Sequence, residues 1–522
     1  MLPQLVARRA AEHPERIFLE HVDGTTTDYG TLHARAMTWA AAYRRAGVKA
    51  GDRVVTMMGA RFEFYYSWLG LSWLRGIDTP VNTDYVGEML AHVLSNSGAA
   101  VVVLEARFLD RFVALAPGLA TLPRLVVLDS GSEALDVGPF TAVAIEQFLA
   151  GEAACPDELS GPQLWDAATV VYTSGTTGPS KGVIQPWNQL YHLAIEAFPA
   201  GTLGPDDSFY LPVVTYHMGA KAMPYLMALV DGVVVIRDRF SASEFLNDID
   251  RHGCTVTVMV AFIAQLMAAA VSTSDDSRTS LRYALMAPII PDVEAFSKRF
   301  GVKVCTAYGM TELAPVIGSN GWDVDNTNFA SCGRLRPGYE ARIVDQHDVE
   351  VPDGTVGELI VRSRDPWALN QGYLGAPEAT VRAWRNGWFH TGDGFRRDVD
   401  GNYYFLDRLK DAIRRRGENI SSFEVESIVM SHPEVVHAAA VAVPSEYSED
   451  EVKIVVVRGA DSQLTPPQLI DYLVPIMPRF MVPRYVEFVA ALPTTPTDRI
   501  RKAVLRAAGV TATTWDREAG GQ

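Results

Sequence analysis

Short, nearly continuous apolar runs alternate with helically spaced apolar positions along most of this chain. Residues 101–104, 125–128, 233–236 and 302–305 are dominated by Val, Ile, Leu and Cys, as expected of strands buried on both faces of a parallel sheet. Leu32, Ala36, Trp39 and Tyr43 recur at helical spacing. Alternating strands and helices predict an α/β domain with substantially parallel sheets. The character changes at residues 339–363, where 341–344 and 358–361 read as strands of a small β-rich subdomain. It changes again near residue 409. The run 403–406 leads into a charged stretch, 407–418, and then into an α+β pattern: helix 423–430, strands 436–443 and 452–457, helix 467–473. These changes predict an N-terminal domain over residues 1–409 and a small, mobile α+β C-terminal domain over 410–522, an ordinary domain size.

The longest uncharged stretch, residues 254–272, divides into a β-branched, alternating first half and an alanine-rich second half. A strand followed by a helix accounts for it better than a membrane span. The remaining composition is that of a soluble globular protein: 522 residues, 48% hydrophobic and 21% charged. A net charge of −16 disfavours nucleic acid and anionic membranes as partners. An anionic substrate must therefore be held by local positive groups. The four cysteines, Cys155, Cys254, Cys305 and Cys332, form no C-x-x-C pair, so no zinc or redox site is expected, and their sparseness fits a reducing cytoplasm. The first nine residues lack the apolar run of a signal peptide.

Residues 172–182 read Tyr-Thr-Ser-Gly-Thr-Thr-Gly-Pro-Ser-Lys-Gly and follow a predicted strand containing Ala168, Val170 and Val171. Glycines let the backbone approach a ligand. Amides, hydroxyls and the Lys181 ammonium suit a polyphosphate. The spacing is not that of a P-loop, and composition alone favours a polar surface loop. The order of residues, however, resembles the phosphate loop of the adenylate-forming superfamily, which includes acyl-CoA ligases, adenylation domains of peptide synthetases and luciferases.

The resemblance implies that Thr173, Ser174, Gly175, Thr176, Thr177, Gly178 and Lys181 cradle the phosphates of ATP or AMP. It extends to Tyr308-Gly309-Met310-Thr311-Glu312, expected as a loop at the carboxyl end of a strand, where open α/β sheets bind ligands. By resemblance Tyr308 lies against adenine, Thr311 meets the phosphate and Glu312 holds Mg²⁺. Ala287 and Pro288 are implied to flank the adenine, with bulky Leu285 and Met286 reshaping the wall nearby. Asp393, in Trp388-Phe389-His390-Thr391-Gly392-Asp393, is implied to bind the ribose hydroxyls, although in isolation it reads as a turn aspartate. Arg408 is implied to reach the nucleotide, Lys410 to be the hinge of a rotating C-terminal domain, and Gly417 to line the pantetheine channel of coenzyme A. The basic run Arg414-Arg415-Arg416 suits the phosphates of coenzyme A and equally a solvated loop. His217 matches a gate between acyl pocket and thiol channel, while a lone histidine also reads as structural. The stretch 411–419 is most similar in pattern to crotonobetaine/carnitine-CoA ligase-like enzymes.

One departure stands out. The family's Pro-Thr-Gly-Lys-Ile-Arg-Lys is here Pro496-Thr497-Asp498-Arg499-Ile500-Arg501-Lys502, so Arg499 occupies the place of the adenylating lysine. A guanidinium is broad and planar, an ammonium compact. The expected function is an acid–thiol ligase making acyl-CoA through acyl-AMP, with the adenylation half impaired and acyl-AMP supplied by an adenylating partner enzyme. Loading of a carrier protein, and silent binding of nucleotide, are the alternatives. A homodimer is compatible with either class.

Overall fold

A computed structural model describes the chain except for residues 131–136, 155–158, 174–179, 239, 242, 270–275, 291, 320, 323–330, 409–412, 416–417, 421, 446–449, 478, 480, 496–499 and 520–522. Two seven-stranded sheets carry the α/β part. In one, strands Lys303–Cys305, Tyr283–Met286, Val256–Met259, Ser208–Leu211, Val233–Ile236 and Ile17–His21 run parallel, with Thr26–Asp28 added antiparallel. In the other, Ala142–Ala144, Arg124–Leu128, Val101–Glu105, Arg53–Met57, Ile77–Pro80 and Ala167–Thr173 run parallel and Lys181–Pro186 closes the edge antiparallel. The apolar runs are indeed central strands: every residue of Val101–Glu105 is buried, as parallel strands covered on both faces require.

Between the sheets lie helices whose sequences match their setting. Tyr29–Arg45 starts where the Asp28 carboxylate accepts the Thr31 amide at 2.6 Å, an N-cap contact worth about 1 kcal/mol. Leu32, Ala36, Trp39 and Tyr43 are all buried on one side of it. Phe62–Trp73 is apolar nearly all round and buried from Phe64 onwards, the pattern of a helix enclosed by others. The uncharged stretch at 254–272 begins as strand Val256–Met259 and continues as helix Ala261–Ala269. Among the described residues no helix is long and apolar enough to cross a membrane.

The β-rich part is larger than residues 339–363. Seven antiparallel strands, in the order Ala307–Met310, Leu313–Gly318, Ser331–Leu335, Asn402–Arg408, Phe389–Arg397, Gly357–Ser363 and Tyr339–Val344, form a third sheet. The strands at the Ala307 edge are not legible in the chain because 307–318 carries Gly and Pro and lacks strict alternation. The C-terminal part builds its own core from helices Ser422–Met430 and Pro466–Leu473 against the four-stranded sheet Val435–Pro444, Asp450–Arg458, Tyr485–Phe488, Trp515–Asp516.

Glu487 ties the chain end to this sheet. Its carboxylate meets Lys453 Nζ at 2.5 Å and accepts the Thr511 and Thr513 hydroxyls at 2.7 and 2.6 Å. Burial alone would raise this carboxyl, but the bonds from Lys453, Thr511 and Thr513 prevail and bring it from 4.5 to about 2. A depressed carboxyl stabilises the fold above its unfolded value and ceases to do so as pH falls through its folded value. Glu487→Gln is therefore expected to lower the urea midpoint at neutral pH, by a gap that closes between 4.5 and about 2. A gap that stayed constant down to pH about 3 would contradict this linkage.

Candidate functional site

Strands Ala167–Thr173 and Lys181–Pro186 pair antiparallel, with Thr173 opposite Lys181. The Thr173 hydroxyl donates to the Lys181 carbonyl at 3.5 Å. The phosphate-loop motif is thus the connection of a hairpin, closed at its neck. Ser174, Gly175, Thr176, Thr177 and Gly178 lie outside the described residues. Near the end of the motif, His92 Nε2 lies 2.8 Å from the Ser180 carbonyl. Gly182 permits the next layer: a Cβ there would sit 2.7 Å from Val170 Cγ1.

The Tyr308-to-Glu312 segment follows strand Lys303–Cys305, as expected, and is itself built as a hairpin. Ala307–Met310 and Leu313–Gly318 pair in the third sheet, and Met310 faces Leu313 across the turn. Two glutamines hold that turn. Gln185 and Gln189 donate side-chain N–H to the Thr311 carbonyl at 2.6 and 3.1 Å. Asn370 donates backbone and side-chain N–H to the Glu312 carbonyl at 3.2 and 3.0 Å. The Glu312 side chain is buried and accepts the Tyr373 hydroxyl at 2.9 Å. The Tyr373 ring in turn carries the Lys181 ammonium, 5.0 Å from its centroid, within cation–π range. The structure therefore brings Lys181 and Glu312 to one tyrosine that the sequence did not single out. A carboxylate oxygen such as that of Glu312 is a hard, anionic donor of the kind Mg²⁺ prefers.

Asp393 sits inside strand Phe389–Arg397 rather than in a turn, and its carboxylate accepts the Tyr308 hydroxyl at 2.6 Å. Tyr308 packs edge-on against Phe395 at 4.7 Å and face to face with Phe405 at 6.3 Å. Asp393 is also opposite Arg408 in the ladder, so two residues implied to hold the nucleoside are register partners. Upstream, Glu358 accepts the Gly392 amide at 3.0 Å and approaches His390 Nδ1 at 2.9 Å, fixing the bend that delivers Asp393. Gly309 is exposed and Met310 half-buried.

Ala287 and Pro288 share a cis peptide bond at the end of strand Tyr283–Met286, and the Ala287 amide donates to the Met259 carbonyl at 3.2 Å. Alternation along that strand separates its two bulky residues. Met286 is fully buried in the core, while Leu285 shares the half-buried face with Ala287. His217 is exposed, and its Nδ1 accepts the Gly219 amide at 3.1 Å where helix Gly219–Val230 begins.

In the C-terminal part, Lys410, Arg416, Gly417 and Arg499 lie outside the described residues; the flanks of the last stretch, Thr494 and Ile500, form an isolated bridge. Arg415 is not available to coenzyme A. It is 1% exposed, pairs with Glu451 at 2.6 Å and donates to the Val482 carbonyl at 2.9 Å. Strand Ile413–Arg415 turns it inwards. Burial pushes the thiols of Cys254 and Cys305 up to about 12 and that of Cys332 to about 11. None of these three is a thiolate nucleophile at neutral pH.

Residues 6–374 match the family described as AMP-binding enzyme, and residues 424–499 match the AMP-binding enzyme C-terminal domain. The chain belongs to the AMP-binding enzyme family. This family member is 28% identical to the crotonobetaine/carnitine–CoA ligase of Salmonella paratyphi A over 483 residues, 92% of each chain. Among solved structures it superposes on ATP-bound MatB from Rhodopseudomonas palustris with a TM-score of 0.82 at 25% identity, covering 97% of this chain and 98% of that one. It also superposes on o-succinylbenzoate CoA synthetase from Bacillus subtilis, solved with its acyl-adenylate, with a TM-score of 0.83 at 22% identity and the same coverage. That synthetase has also been solved with ATP and magnesium ion. The AMP-binding enzyme described here thus shares the α/β fold, with a large N-terminal and a smaller C-terminal part, of enzymes that handle acyl-adenylates.

Proposed function

We propose that this protein joins a carboxylic acid to coenzyme A through an acyl-adenylate, and that it is stronger in the second half of that reaction than in the first. In the first half a carboxylate attacks the α-phosphorus of ATP and pyrophosphate leaves. In the second half a thiol attacks the acyl carbon and AMP leaves. Thr173, the loop 174–178, Lys181 and Thr311 bind the phosphates; Tyr308, Ala287 and Pro288 bound the base; Asp393 and Arg408 hold the nucleoside. Glu312 would hold Mg²⁺, which would supply positive charge to neutralise phosphate oxygens. The chain turns at Lys410, between units 1–409 and 410–522, and Gly417 lines the thiol channel with His217 at its gate.

The observation that carries this reading is Arg499 after Asp498, where the family places lysine after glycine. The nearby Lys502 is a poor substitute, because its ammonium pairs with Glu426 at 2.8 Å and bonds to Ser422. Glu426 is itself buried and accepts the Ala440 amide at 2.7 Å. Withdrawing Lys502 would take the cation from a buried carboxylate, which is costly. The protein therefore receives acyl-AMP from an adenylating partner. The test starts the reaction twice: from acid, ATP and Mg²⁺ with coenzyme A, and from synthetic acyl-AMP with coenzyme A. The expected result is thioester from acyl-AMP at a rate on the order of a hundredfold above that from acid and ATP. Equal rates would refute the split; nucleotide binding with no thioester from either start would favour a silent binding protein.

A further inference from the structure

The geometry points to Tyr373 as a positioning residue that couples the metal carboxylate to the phosphate-loop lysine. Tyr373 lies in a strap, residues 369–374, clamped on both sides. On one side Leu313 bridges Leu369, and Asn370 holds the Glu312 carbonyl. On the other, Gln371 N–H donates to the Ile184 carbonyl at 2.9 Å, Gly372 accepts the Ile184 amide at 3.0 Å, and Leu374 N–H donates to the Gly182 carbonyl at 2.8 Å. The strap thus joins the strand that leaves the phosphate loop to the hairpin that carries Glu312. With its backbone held so, Tyr373 sets its hydroxyl on Glu312 Oε1 and its ring face under Lys181 Nζ.

Each contact has its own consequence. A hydroxyl bonded to a ligating carboxylate fixes that carboxylate's orientation; loss of such a partner costs about 10-fold or more in metal affinity. The ring face holds an ammonium that would otherwise sweep a wide volume on four rotatable bonds. The two effects separate cleanly. Tyr373→Phe keeps the ring and removes the hydroxyl, whereas Tyr373→Leu removes both.

This inference rests on the nucleotide-binding reading of the site, and calorimetry of the full chain tests both without using turnover. ATP is titrated into wild type, Tyr373→Phe and Tyr373→Leu, each with and without Mg²⁺, and AMP serves as a metal-free control. Wild type is expected to bind ATP more tightly with Mg²⁺. Tyr373→Phe should need about 10-fold more Mg²⁺ for the same tightening, with AMP affinity and metal-free ATP affinity retained. Tyr373→Leu should in addition weaken metal-free ATP by a few fold. Thermal unfolding of each variant identifies a merely structural role: a lowered Tm with wild-type Mg²⁺ dependence overturns the inference while leaving the binding reading intact. Wild type that binds neither nucleotide overturns both.

Discussion

Changing Asp498 to Gly and Arg499 to Lys together is expected to raise the rate from acid and ATP by about a hundredfold, roughly 3 kcal/mol in barrier height. The rate from synthetic acyl-AMP should stay within about twofold. The reason lies in shape. A guanidinium matches flat, bidentate partners, whereas the developing charge at a phosphorus undergoing displacement is met best by a compact ammonium at one point. Asp498 adds a carboxylate beside the cation, available to pair with it or to repel phosphate oxygens. Arg499→Lys alone should therefore recover less than the pair. Parallel assays of the two single variants and the double variant, under both starting conditions, check this. If the double variant gains nothing from acid and ATP, or gains equally from both starts, residue 499 is not what limits adenylation.

Replacing Lys221 by Met is expected to destabilise the N-terminal unit by about 3–5 kcal/mol, as happens when one member of a buried ion pair is removed. Lys221 Nζ lies 2.7 Å from Asp78 Oδ2, with side-chain exposures of 1% and 0%. Burial lowers the lysine's affinity for its proton, and Asp78 opposes this only in part, so the net shift is downward. The ammonium also sits over Phe64 at 4.5 Å and Trp68 at 5.2 Å, and Trp68 stacks on Trp187 at 5.5 Å. Helix Gly219–Val230 and strand Ile77–Pro80 belong to opposite halves of the α/β part, so this pair joins them. Methionine preserves the apolar contacts with the rings but strands the Asp78 carboxylate, which keeps the Thr56 hydroxyl at 2.8 Å on its other oxygen. Adding Asp78→Asn to the Met variant should restore part of the loss, since the stranded charge is then gone. Urea unfolding of the single and double variants measures it. A single variant within about 1 kcal/mol of wild type would mean that the pair contributes no more than an exposed one.

Lys221 also marks the boundary of what could be read from residue order. It is the one charged residue in Gly219–Val230, a helix that is otherwise nearly all apolar, so the chain advertised a buried cation without naming its partner. Gln185 and Gln189 carry the same kind of signal, polar side chains fully buried beside Val183, Trp187 and Leu190. Their shared acceptor, the Thr311 carbonyl, lies 126 and 122 residues away. Arg415 gave a misleading signal. Three consecutive arginines suggest a solvent-facing or phosphate-facing patch, but a short strand sends one of them into the core against Glu451.

Residue order alone determined the buried parallel strands, the helix carrying Leu32, Ala36, Trp39 and Tyr43, the phosphate-loop motif and the departure at Arg499. Each is written in periodicity, turn chemistry or a local motif, and those act over a few residues. Only the tertiary structure decided that Tyr308 meets Asp393, that Tyr373 joins Lys181 to Glu312, and that Lys221 meets Asp78. These pairs depend on which sheet packs against which and on the path of one strap between them. A contact between residues 61 or 85 positions apart leaves no periodic trace in the chain, because its free energy is gained only after the intervening elements have packed.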